Sequence, residues 1–112
     1  MHLRDIQKLK TEFEKERGWE KFPASLVFTH LIEELGEISR HITVEEGYKA
    51  TSLGHQPPDS SELSREFAQA FSLFVQLANH FEVDLENSVL SELEIMRKRF
   101  PAEAWLKYMD ER

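Results

Sequence analysis

The segment HLIEELGEISRH, residues 30–41, spaces His30, Glu34, Glu37 and His41 by four, three and four. On a helix turning about 100° per residue these side chains fall within roughly 60° of one another. Carboxylates three residues apart on one stripe repel unless water or a cation stands in front of them. A further carboxylate, Glu66, lies in the later run REFAQAF. If the two segments are helices packed antiparallel, Glu34, Glu37 and Glu66 converge in one acidic cleft. Oxygen-only clefts of this kind suit Mg²⁺ or Mn²⁺, hard ions that keep several waters and complete their shells with substrate phosphates. The other reading of the same spacing is a solvated helix face, with Glu33 as plain surface and His30 and His41 packed or hydrated.

Competing chemistries lack their parts. The chain has no cysteine, which removes disulfide scaffolds, thiolate zinc sites and thiol nucleophiles. Neither an HExxH pair nor a glycine-rich phosphate loop occurs. A di-iron bundle needs Glu-x-x-His on two helices, and no Glu here has a His three residues later.

The elements that must position the carboxylates are legible as helices. Leu3, Ile6, Leu9 and Phe13 predict an amphipathic helix that Gly18 stops. A second helix starts near Pro23, carries the seam Phe28, Leu31, Leu35, Ile38 and Ile42, and ends around Glu45 or Glu46. By helical geometry the seam is centred roughly 120° from the His30–His41 stripe, so the stripe borders the core. The segment EGYKATSLGHQPPDSS is a connection rich in turn formers. A third helix follows Asp59, which stands three residues before Glu62 as in a capping box, and repeats the seam through Leu63, Phe67, Ala70, Phe74, Leu77 and Phe81. Glu66 stands roughly 80° from the centre of that seam, again at the border. Asp84 caps a fourth helix with Leu85, Val89, Leu93, Met96 and Phe100; after Pro101 a short fifth helix carries Trp105, Leu106 and Met109. No segment alternates as a strand does.

The expected class is therefore all-α, a four-helix unit plus a short C-terminal helix, as one domain over residues 1–112. Helices this short and apolar bury the rest of their seams against a second copy, so a homodimer or homotetramer built as a helical bundle is expected. With 40% apolar and 31% charged residues the chain should fold. Its net charge of −7 repels a duplex backbone, so no duplex nucleic acid is expected as partner. No run is long and apolar enough for a membrane span, and the charged start MHLRDIQKLK is unlike a signal peptide, so the expected location is cytoplasmic.

From about Phe13 to Pro101 the sequence resembles the MazG-type nucleotide pyrophosphohydrolases and the related all-α dUTPases and phosphoribosyl-ATP pyrophosphohydrolases. The resemblance is carried by FEKERGWEKFPASLVFTHLIEELGEISRHI and VDLENSVLSELEIMRKRFP. The family's signature is E-E-x-x-E followed on a later helix by E-x-x-D. Glu33, Glu34 and Glu37 match its first half and Glu66 opens its second. The resemblance implies Mg²⁺-dependent, or Mn²⁺-dependent, hydrolysis of a nucleoside triphosphate to the monophosphate and pyrophosphate. It implies Glu34, Glu37 and Glu66 as metal ligands and Glu33 as a supporting group or the water-orienting base.

Two positions depart from the pattern. Gln69 stands where the family has Asp, which keeps a neutral oxygen but loses a charge and a proton acceptor. Removing a unit charge beside a divalent ion costs on the order of 1 kcal/mol or more per charge on the ion, so Gln69 is a weak or absent ligand. Ile95 and Met96 replace a Lys-Asn pair that would hold substrate, and read as packing groups. Arg97, Lys98 and Arg99 follow them, placed either to meet phosphates or simply to suit the dipole at a helix C-terminus. Trp19 and Phe22 stand between the first two helices, where a base could stack on them or where they pack as core. Beside the hydrolase stand a catalytically inactive homologue serving as a nucleotide-binding or assembly module, and a plain helical interaction protein.

Overall fold

The computed structural model describes residues 1–112. It contains α1 (Leu3–Arg17), α2 (Ala24–Glu45), α3 (Leu63–His80), α4 (Leu85–Arg99) and α5 (Ala102–Asp110). Single 3-10 turns lie at Trp19–Lys21, Thr51–Leu53 and Ser60–Glu62, and there is no strand. The local stop and start signals act as the sequence predicts. Gly18 takes φ 71° behind α1, a left-handed conformation that costs glycine least, and Pro23 sits extended ahead of α2. Asp84 accepts the Asn87 N–H at 3.1 Å to open α4. The turn between α3 and α4 closes with the Val83 N–H on the Ala78 carbonyl at 2.8 Å, which forces Glu82 to φ 56°.

One cap differs from expectation. Asp59 bonds the Ser61 hydroxyl at 2.6 Å and its N–H at 2.9 Å, closing a 3-10 turn, so α3 opens only at Leu63 and no Asp59–Glu62 box forms. The Ser61 hydroxyl, then its N–H, hold the Asp59 carboxyl below the usual carboxylate range.

The most extensive contact is between α2 and α3. Leu31, Ile38 and Ala70 are buried together there, with Leu73 and Leu77 against them. A second small cluster, Val75, Ala78 and Leu85 with Leu3, joins α1 and the first turn of α4 to α3.

Helix α1 presents a different face from the expected one. Gln7 and Glu14 are its buried residues, while Leu9 and Phe13 of the apolar seam stay largely open. The reason is a polar lock. Gln7 Nε2 donates to Asn79 Oδ1 at 2.9 Å and to the Val83 carbonyl at 2.8 Å, and its Oε1 accepts the Leu85 N–H at 2.9 Å. Asn79 Nδ2 donates back to the Gln7 carbonyl and to Thr11 Oγ1, both at 3.0 Å. Every hydrogen-bonding group in the α3–α4 turn that this side chain reaches is thereby satisfied. Gln7→Ala strands the Leu85 N–H and the Val83 carbonyl, each costing about 1–3 kcal/mol if left unpaired. A loss of at least about 2 kcal/mol in urea unfolding is expected.

Beyond Leu85, α4 leaves the body of the chain, and α5 buries no residue. The Cα radius of gyration is 18.4 Å, against about 13 Å for a compact chain of this length. Exposed surface is 9017 Å², where a monomer of 13.2 kDa has about 6,400 Å². No helix is long and apolar enough to cross a membrane.

Candidate functional site

Glu34, Glu37 and His41 stand on α2 and Glu66 on α3, where the His41–Glu66 contact and the Ile38–Ala70 packing run antiparallel. In that register Gln69 comes level with Ile38 and Ser39. Each carboxylate is met by a base. Glu34 Oε1 lies 3.3 Å from His30 Nε2, Glu37 Oε2 lies 3.2 Å from the Arg40 guanidinium, and Glu66 Oε2 lies 2.8 Å from His41 Nε2. Glu34 and Glu66 are mostly covered, with 18% and 15% of their side chains exposed, whereas Glu37 is about half open. Glu66 Oε2 and His41 Nε2 are both fully buried and neither makes a well-directed hydrogen bond.

The donor set is of the hard-oxygen type, and Glu66 holds a buried oxygen short of partners, so its chemistry fits a divalent cation. In this conformation no three His, Asp or Glu side chains stand together at metal-holding distance. Gln69 and Glu33 are exposed on the same two helices. Arg97 pairs with Glu94 at 2.7 Å on its own helix, and Lys98 is exposed beside it. Helix α4 meets the rest of the chain chiefly through α1, so these cations are not gathered to the carboxylates within one chain. Ile95 and Met96, expected as packing groups, are open in the single chain.

Two adjoining cavities of about 340 Å³ each lie between α1, the 3-10 turn at Trp19, α2 and α3. They share the wall formed by Trp19, Phe22, Val27 and Gln76. One opens past Lys10 and Leu73 to His30, and His30 leads on to Glu34. Trp19 and Phe22 are 39% and 50% exposed, so they face a cleft and are not core. Trp19 is held edge-on to Phe13 at 5.5 Å between ring centres, and Lys10 Nζ stands 5.7 Å from its ring. Burial pulls the Lys10 ammonium below its usual value, opposed by the neighbouring Glu14 carboxylate.

The other cavity holds a residue that helical periodicity assigns to the surface. Glu14 is 5% exposed, and its Oε1 is fully buried without a hydrogen-bond partner. Desolvation pushes its carboxyl above the ordinary 4.5, Lys10 opposes that, and Glu20 adds to it. A carboxyl with a raised folded-state value binds its proton more tightly folded than unfolded. Its contribution is therefore most favourable below about 4.5 and is lost as pH rises through the raised value. Glu14→Gln is expected to match the wild type in urea midpoint at acid pH and to exceed it at pH 8. Equal midpoints at both pH values would put Glu14 in water. The spacing Gln7, Thr11, Glu14, of four and three, was the available signal for this inward polar stripe.

No family model matches the chain. Among curated proteins it is 34% identical over 102 residues to dCTP pyrophosphatase 1 of Homo sapiens, an alignment covering 89% of this chain and 59% of that protein. It is 32% identical over 101 residues to dCTP pyrophosphatase 1 of Rattus norvegicus, covering 88% and 59%. It is also 29% identical over 109 residues to the uncharacterized protein YvdC of Bacillus subtilis (strain 168), covering 89% of this chain and 97% of that one. The chain thus spans about three fifths of the length of the mammalian relatives and nearly all of the bacterial one. The five helices without a strand, and the carboxylates on two neighbouring helices, define an all-α protein that is similar over most of its length to proteins named as nucleotide pyrophosphatases. The dCTP pyrophosphatase relatives belong to the MazG-like all-α NTP pyrophosphohydrolase superfamily, which the chain resembles, with Gln69 standing where the second motif has an acid.

Proposed function

We propose that this protein hydrolyses a nucleoside triphosphate between its α and β phosphates, releasing the monophosphate and pyrophosphate, with a deoxycytidine nucleotide as the first substrate to try. The observation that carries this reading is the continuity from the Trp19–Phe22 cleft through His30 to Glu34. A base in the cleft would place its phosphates toward the carboxylates of α2 and α3. The names of the mammalian relatives support the substrate class.

Glu34, Glu37 and Glu66 would hold Mg²⁺ or Mn²⁺, which when bound neutralises phosphate charge and lowers the pKa of a water. Gln69 would contribute at most a neutral oxygen. Glu33, exposed beside Glu34, is the candidate to orient the attacking water. His30, His41 and Arg40 stand against the carboxylates in the present conformation and would yield them to a cation. Arg97 and Lys98 would reach substrate phosphates only from a second copy, and a homodimer or homotetramer is part of this proposal.

A nucleotide-binding homologue without activity is the second reading, prompted by Gln69 and by the basic side chain that stands against each of Glu34, Glu37 and Glu66. The test is pyrophosphate release from a panel of ordinary and modified nucleoside triphosphates with Mg²⁺ or Mn²⁺. Release that requires metal supports the hydrolase. No release from folded, metal-supplied protein, together with nucleotide binding, leaves the inactive homologue.

A further inference from the structure

The carboxylates of α2 and α3 leave unexplained why the far end of the cleft is lined by a buried acid. Glu14 lies on α1 and lines the cavity that shares Trp19, Phe22, Val27 and Gln76 with the one reaching His30. Its Oε1 has no partner in the chain and faces a cavity large enough for part of a small molecule. Leaving a carboxylate oxygen unpaired in such a place costs stability, and a ligand that donates a hydrogen bond there recovers the loss. Gln76, buried in the wall common to both cavities, brings an amide that both donates and accepts. Trp19 and Phe22 supply flat apolar faces on the same wall.

We propose that Glu14 and Gln76 select a nucleobase carrying an exocyclic amino group beside a ring nitrogen. The Glu14 carboxylate accepts the amino N–H, and the Gln76 amide donates to the ring nitrogen. A keto base offers an oxygen where the amino group would be and an N–H where the ring nitrogen would be. Its oxygen would then confront the Glu14 carboxylate, acceptor against acceptor. Sites built to hydrogen-bond one group reject an analogue that leaves their buried polar atoms unpaired, and they do so more strongly than apolar pockets discriminate by size. The inference rests on the nucleotide reading above but concerns binding alone, so it can stand or fall apart from hydrolysis.

The test is calorimetric titration of the full chain with dCMP and with dUMP at pH 8, without metal. The two differ by the amino-to-keto exchange in question. The wild type is expected to bind dCMP at least about tenfold more tightly than dUMP. Glu14→Gln, which keeps the shape and can turn its amide to meet either edge, is expected to bring the ratio near one, with the fold intact by circular dichroism. A ratio unchanged in Glu14→Gln overturns the assignment, as does a wild type that binds both equally or neither. Pyrophosphate release from dCTP, measured on the same preparations, separates the two readings. Glu14-dependent discrimination without any release keeps this inference and removes the hydrolase; release with no dependence of the dCTP to dUTP ratio on Glu14 does the reverse.

Discussion

A Glu34→Gln, Glu37→Gln double variant is expected to release pyrophosphate at about a thousandth of the wild-type rate or less. At about 4 Å in bulk-water dielectric, a unit charge is worth about 1 kcal/mol toward another, hence about 2 kcal/mol toward a divalent ion. Two neutralised carboxylates remove about 4 kcal/mol, and each 1.36 kcal/mol is a factor of ten in rate. The fold should tolerate the change. Glu37 is half open, and the Glu34–His30 pair sits at the edge of the α2–α3 contact, where such pairs contribute about 0–1 kcal/mol. The melting temperature without metal should therefore stay close to the wild type while the Mg²⁺-dependent rise in melting temperature disappears. Gln69→Asp is the converse experiment. It restores a charge on the facing helix and should lower the Mg²⁺ concentration needed for half of the thermal shift by about tenfold or more. A double variant that still hydrolyses, or a Gln69→Asp variant with weaker metal binding, would place the reaction elsewhere than between α2 and α3.

The helix boundaries were legible because their signals are local. Gly18, Pro23, Asp84 and Pro101 act through their own backbone geometry or through hydrogen bonds within one turn, and each stands where the structure ends or begins a helix. The border position of Glu34 and Glu66 was legible for a related reason, since angles on a helix follow from residue number. Which neighbour each face meets is a different question. Phe67 and Phe74 on α3, and Phe81 just past its end, share the heptad seam with Ala70, yet of these four only Ala70 is buried within the chain. Periodicity reports that a face is apolar and is silent on whether the same chain or another covers it. Glu14 was hidden for a third reason. Four residues from Lys10 and three from Arg17, it has the spacing of a solvated ion-pair ladder, and only the Gln7–Asn79 lock, a contact 72 residues long, turns that side inward.

Sedimentation is expected to give a species of two or four chains, and Leu93→Glu is expected to break it. The single chain exposes about 2,600 Å² more than a compact protein of its mass, and this excess is of the size that one partner contributes to a large, permanent interface. Much of it is apolar, including Leu35 and Ile42 on α2, Phe67 and Phe74 on α3, and Val89 and Leu93 on α4. Leu93 is the discriminating position because α4 beyond Leu85 adds almost nothing to the chain's own core. A glutamate there leaves the intrachain clusters of Leu31 and Val75 untouched. At a symmetric interface the change occurs twice, and losing two buried leucines costs about 3–6 kcal/mol before any charge is desolvated. The dissociation constant should then rise by about a hundredfold or more, seen as a concentration-dependent shift toward 13.2 kDa. A wild type that sediments as one chain with a radius of gyration near 13 Å in scattering would mean that α4 and α5 fold back over α2 and α3. The apolar faces would then be covered from within, and Arg97 and Lys98 would approach the carboxylates of their own chain.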